Sequence, residues 1–161
     1  MANSFKTFLK HTAKDFHNQS VNPPIVRAST IIFKSMNDIR KTQAKYKKDP
    51  RGGYFDYGRQ GTSTTHILQK ILSKLEESYF TFLTPTGFGS VFLAIFSVVR
   101  PGDEILTADP VYNPTRMLTQ DYLTEFGIKT TFYNPHDLNS LKKNITKKTK
   151  LIFVENPGSN T

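Results

Sequence analysis

From Tyr79 to Val99 the chain passes from alternating aromatic and β-branched positions (YFTFLT), through a glycine turn (PTGFGS), to a nearly unbroken apolar run (VFLAIFSVV). The first piece suits a short strand and the last a largely buried helix. Upstream, Ile67, Leu68, Ile71, Leu72 and Leu75 recur at helical spacing and predict an amphipathic helix over 65–77. Downstream, Pro101-Gly102-Asp103 forms a turn. It is followed by a strand at Glu104 to Ala108, a helix at Pro114 to Glu125 stopped by Gly127, and a strand at Lys129 to Tyr133. A short helix at Asp137 to Asn144 and a last strand at Lys150 to Glu155 complete the series. This β-α-β-α-β-α-β alternation predicts right-handed crossovers, a mainly parallel sheet and helices on both faces, an α/β fold of three layers. Ligands of such sheets sit outside the carboxyl ends of the strands. The loops to inspect are therefore Thr84 to Ser90, Asp109 to Thr115 and Asn156 to Thr161.

The front of the chain lacks this rhythm. Met1 to Asn18 is polar, with Phe5, Phe8, Leu9 and Phe16 loosely on one helical face, and reads as an arm that packs on something else. Asn22-Pro23-Pro24 breaks it, Ile25 to Phe33 reads as extended, and Ser35 or Asn37 caps a short helix reaching about Lys47. A long glycine-rich loop, Asp49 to Thr65, follows; such loops are often functional. The final strand has no following element to cover its far side, so the expectation is the front part of a longer fold.

The 13 Phe and 7 Tyr make aromatic rings a large share of the apolar content. A net charge of +9 raises nucleic acid as a partner. Its lysines, however, cluster at 45–48 and 142–150 without aromatics interleaved at a readable spacing, the pattern of solvated faces, so no nucleic-acid partner is expected. The absence of Cys removes disulfides, thiolate catalysis and Cys-type zinc sites. No stretch approaches the roughly 18 apolar residues of a membrane helix, and Met1 to Lys10 has no signal-peptide run. A soluble cytoplasmic protein is the expectation.

Candidate chemistry gathers at a few places. Gly87 and Gly89 leave no side chains over the first turn of the apolar helix, where free N–H groups and the helix dipole favour an anion; glycine in such a turn also serves for bending alone. Neither the dinucleotide fingerprint nor the P-loop fits, because Phe92 is bulky and no Lys follows Gly89. Tyr57-Gly58-Arg59 joins a phenol to a guanidinium fork suited to a phosphate or carboxylate, although such residues also simply pack and solvate. Tyr112 can stack on a planar ligand or merely cover the sheet end. Glu155 suits a base or a second-layer acceptor, and no histidine pair has metal-ligand spacing.

Five ordered motifs carry a resemblance. They are Tyr57-Gly-Arg-Gln-Gly-Thr-Ser-Thr with Leu75-Glu76, Thr86-Gly87-Phe88-Gly89 before the apolar helix, Pro101-Gly102-Asp103-Glu104, Asp109-Pro-Val-Tyr112, and Glu155-Asn-Pro157-Gly158-Ser159. Over roughly Val21 to Thr161 the chain resembles the Cys/Met-metabolism pyridoxal-phosphate enzymes, and its Pro-Gly-Ser ending resembles the β-lyases among them. The resemblance implies part of a fold-type I large domain over 61–161. It makes 1–60 an arm and cofactor-phosphate loop that contacts a neighbouring subunit of a homo-oligomer.

By the same resemblance, Tyr57 and Arg59 reach the phosphate of the neighbour's pyridoxal 5′-phosphate, Gly87 and Phe88 hold the phosphate in their own subunit, and Tyr112 stacks on the ring. The implied activity is carbon–sulfur bond cleavage in an amino-acid thioether. The implied Schiff-base lysine lies beyond Thr161, leaving no catalytic residue within this stretch and an isolated chain without activity. A non-enzymatic remnant with an anion site and a γ-acting member of the family are the alternatives.

Overall fold

The computed structural model describes residues 22–159, and Ser35 opens the first helix among them. The helical arm expected over Met1 to Asn18 lies outside the described residues. The chain divides into two compact units between Leu83 and Thr84.

In the first unit the extended stretch after Pro24 meets the glycine-rich loop at a single antiparallel bridge, Thr30 to Tyr57. The Gly58 amide donates to Ser29 O at 2.7 Å. Only glycine permits that approach, since a Cβ there would stand 1.8 Å from Ala28 O. Helix α1 (Met36–Lys48) begins where the Ser35 hydroxyl accepts the Asp38 N–H, and it ends with Lys45, Lys47 and Lys48 at the negative end of its dipole. Helix α2 (Ser63–Leu75) starts two residues before the predicted position. Thr65 reaches back to accept the Thr62 N–H at 2.9 Å and so captures an extra half-turn.

The strand predicted at Tyr79 to Thr84 does not form. The segment has no regular structure, and its Thr81 bonds to α2: Gln69 Nε2 donates to Thr81 O at 3.0 Å, and the Ser73 and Thr81 hydroxyls pair at 2.9 Å. An extended run becomes a strand only when another backbone completes its ladder.

The second unit contains the sheet. Helix α3 (Gly87–Val98) precedes β1 (Glu104–Ala108). A helical passage follows, made of α4 (Asn113–Met117), a π-turn (Leu118–Tyr122) and α5 (Leu123–Glu125). Then come β2 (Lys129–Tyr133), α6 (Leu138–Asn144) and β3 (Thr149–Phe153). All pairings are parallel and the order is β2-β1-β3, so each connection returns its strand beside the central β1. Successive residues of β1 feed opposite layers, as the pleat requires. Ile105 joins Ile95, Val99, Leu118, Leu123 and Ile128 on one face, while Leu106 and Ala108 join Tyr133 and Leu141 on the other. The expected three-layer α/β architecture is present.

Two further expectations are corrected. The helix predicted as continuous from Pro114 to Glu125 widens at its centre, where Leu123 N–H bonds Leu118 O and the Thr119 carbonyl accepts the Thr130 hydroxyl of β2 at 2.7 Å. A strand side chain takes a bond from the helical ladder, and the ladder resets by one residue. Helix α3, expected to be largely buried, buries only Ile95 within its span, while Leu93 and Val98 stay about half exposed. An apolar run fixes no depth of burial without a periodicity to orient it.

Candidate active site

The start of α3 combines a side-chain cap with unpaired backbone amides. The Thr86 hydroxyl accepts the Gly89 N–H at 2.9 Å, which caps the helix from one side and leaves the other side clear. Among the described residues the Gly87 and Phe88 amides make no hydrogen bond, and a Cβ built at Gly87 would meet no atom within 4 Å. Thr84 and Ser90 link their hydroxyls at 2.6 Å across the turn, holding the entry to the helix in shape. Two N–H groups unpaired among the described residues thus stand at the positive end of the helix dipole.

The carboxyl ends of β1 and β3 lie side by side, and their loops are tied together. The Tyr112 N–H donates to Glu155 Oε2 at 3.1 Å. The Ser159 hydroxyl donates to Glu155 Oε1, and the Ser159 N–H donates to Pro110 O at 2.9 Å. Gly158 lies so close to Pro110 that an added Cβ would sit 2.8 Å from its ring. A second brace crosses the first loop: Arg116 donates to the Asp109 carboxylate at 2.6 Å and carbonyl at 2.5 Å, with its guanidinium 3.9 Å from the Phe132 ring centre. Within this frame the Tyr112 side chain is 45% exposed.

Tyr57 and Arg59 lie in the first unit, and the structure brings them together. Gly58–Gln60 forms a 3-10 turn that folds the Arg59 guanidinium 4.9 Å above the Tyr57 ring. Arg59 also lines a cavity of about 510 Å3 with Arg51, His66 and Tyr79. His66 is buried against Phe55, and burial together with nearby Lys70 pushes its imidazole below the ordinary histidine range, with Asp49 opposing. It serves the packing of the loop, as its place at the head of α2 suggested. The five candidate residues therefore fall into two sets, Tyr57 with Arg59 and Gly87, Phe88 with Tyr112. The Asp109–Arg116 brace and the Thr84–Ser90 pair escaped sequence reasoning, because neither spacing is a helical or strand contact rule.

The family described as Cys/Met metabolism PLP-dependent enzyme matches residues 6–161. The chain belongs to that family. It is 36% identical over 141 residues to a putative cystathionine beta-lyase of Saccharomyces cerevisiae, covering 88% of this chain and 38% of that protein. It is 33% identical over 148 residues to the cystathionine beta-lyase of Haemophilus influenzae, covering 92% of this chain and 36% of that one. Among solved structures, a putative O-acetylhomoserine (thiol)-lyase of Campylobacter jejuni that carries a pyridoxyl-lysine phosphate superposes with a TM-score of 0.76. It is 26% identical, over 93% of this chain and 36% of that one. The chain spans well under half the length of each.

The cofactor of this family, pyridoxal 5′-phosphate, fits the residues present. A phosphate needs donors on an uncrowded face. The unpaired Gly87 and Phe88 amides provide them at the end of α3 where the dipole also favours negative charge. On the same unit Tyr112 offers a partly exposed ring on a braced main chain, and on the other unit Arg59 carries a permanently charged fork.

Proposed function

We propose that this chain is the N-terminal portion of a pyridoxal-phosphate-dependent carbon–sulfur lyase that acts on cystathionine. Gly87 and Phe88 hold the cofactor phosphate through their amides, and Tyr112 lies against the ring. Tyr57 and Arg59 extend to the phosphate of a neighbouring subunit in a homo-oligomer, with residues 1–60 as the clasping arm. When bound, the cofactor supplies an electron sink for the pair released by loss of the substrate α-proton, so that the Cβ–S bond can break. Cystathionine and water then yield homocysteine, pyruvate and ammonia.

The observation that carries this reading is the Pro157-Gly158-Ser159 turn locked onto Pro110. It joins the motif that resembles the β-lyases to the loop bearing Tyr112, at the carboxyl end of a parallel sheet where ligands of such folds sit. Identity to two proteins named as cystathionine beta-lyases supports the substrate assignment. No lysine of the 161 residues stands in the context of the family's Schiff-base lysine. We therefore assign this stretch the phosphate grip and not the proton transfers, and expect the chain by itself to be inactive.

Titration of the purified chain with pyridoxal 5′-phosphate, followed by borohydride reduction and peptide mass mapping, tests the reading. The expected result is saturable, reversible binding without a unique lysine adduct, weakened about tenfold in Arg59→Ala through loss of a charge-assisted contact. Absence of saturable binding would overturn the phosphate grip. A stoichiometric adduct on one lysine would overturn the division of labour.

A further inference from the structure

We infer that Glu155 is a positioning residue for the Tyr112 ring, an inference that rests on the cofactor reading above. The main chain of Tyr112 is held at both ends. Its N–H donates to Glu155 Oε2 at 3.1 Å, and its carbonyl accepts the Arg116 N–H at 3.1 Å. With both peptide groups fixed, the direction of the Cα–Cβ bond is set, although the residue as a whole is about half exposed. Tyr112 is the N-cap residue just before α4, and its side chain makes no capping bond, so the carboxylate of a residue 43 positions away takes over the orienting task.

Glu155 is fixed in turn. Its other oxygen accepts the Ser159 hydroxyl, and Ser159 is anchored by its own N–H to Pro110 O at 2.9 Å. Glu155 therefore sits in a closed loop of contacts: from Tyr112 to its carboxylate, from the carboxylate to Ser159, and from Ser159 back to Pro110, two residues before Tyr112. Both carboxylate oxygens are engaged inside this loop, the arrangement of a brace and not of a base reaching for a substrate proton. Fixing the backbone beneath an exposed ring removes freedom that stacking would otherwise have to remove, and this strengthens binding without any contact between Glu155 and the ligand. Ser159 acts in the same chain of contacts, which gives the Pro-Gly-Ser ending a mechanical role.

The test is a double-mutant cycle on pyridoxal 5′-phosphate binding by the full chain, with the induced circular dichroism of the bound cofactor as a second readout. Glu155→Ala is expected to weaken binding about tenfold, the scale of a lost hydrogen bond to a charged acceptor, and to reduce the induced signal. In a Tyr112→Ala background the same substitution is expected to have no further effect, because its action passes through the ring. Glu155→Gln, which keeps one acceptor oxygen, should recover part of the affinity, and it carries the cycle if the alanine variant fails to fold. Binding that weakens equally with and without Tyr112 would overturn the inference while leaving the cofactor reading intact. No binding by the unsubstituted chain would overturn both.

Discussion

The two compact units differ in how they use apolar residues. In the second unit, Ile95, Ile105, Leu106, Leu123 and Val111 are fully enclosed around a parallel sheet. In the first, His66 and Ile67 are the buried residues among those described, while Ile25, Ile32, Tyr79 and Phe82 are mostly exposed. One unit is held by burial. Among its described residues the other shows caps, a single bridge and polar contacts such as Gln69 to Thr81. The candidate residues follow the same division: the helix terminus and the braced tyrosine belong to the sheet-bearing unit, and the Tyr57–Arg59 pair belongs to the other.

The contrast is sharpest for cavity-forming substitutions. Leu123→Ala should lower stability by about 3 kcal/mol, whereas Ile32→Ala should change it by no more than about 0.5 kcal/mol, both read from urea unfolding followed by circular dichroism. Equal losses would erase the distinction between the units. Gly158→Ala forces a Cβ against Pro110 and should cost about 2 kcal/mol, with a matching rise in protease sensitivity around 154–159. An unchanged melting temperature would show that the two loops are not tightly joined.

Smaller effects probe the first unit. Ser35→Ala removes the cap of α1 and should cost about 1 kcal/mol, visible as lost helical signal before the sheet unfolds. A simultaneous loss of both would mean that the units unfold as one. The smallest effect concerns pH. His66 has a depressed folded-state value, so its neutral form stabilises the fold fully above pH about 6.5, the ordinary histidine value. That contribution is lost as the pH falls through the lowered value, because the unfolded chain takes up the proton first. His66→Gln should flatten the decline in stability between neutral and mildly acidic pH. An unaltered slope would assign the acid sensitivity to other groups.

Much of the second unit was legible in advance. Strands β1 and β2 have the predicted bounds, because five-residue runs between a Pro-Gly or Gly stop and a polar turn leave little choice. The short helix expected over Asp137 to Asn144 is α6, with Asp137 as its cap, accepting from Asn139 and Ser140. In the site, Tyr57 and Arg59 are neighbours because three residues of chain make them so, and Gly87 and Phe88 open α3 because Thr86 caps it. Glu155 was a visible candidate without a definite task, since its partners Tyr112 and Ser159 come from both sides of the sheet's carboxyl end.

Local patterns report what local forces control. The alternation of strand and helix, the capping residues and the order of five motifs follow from backbone preferences and one-sided burial, and these determined the layered parallel fold and the family. Tertiary structure alone decided which polar group meets which. It left Tyr79 to Thr84 out of the sheet with Thr81 bonded to side chains of α2, opened a π-turn where Thr130 takes a helical carbonyl, and set the Glu155 carboxylate against the main chain of Tyr112. Hydrogen bonds form only within about 3 Å. Whether two groups distant in sequence come that close depends on the packing of whole elements, which no spacing rule along the chain encodes.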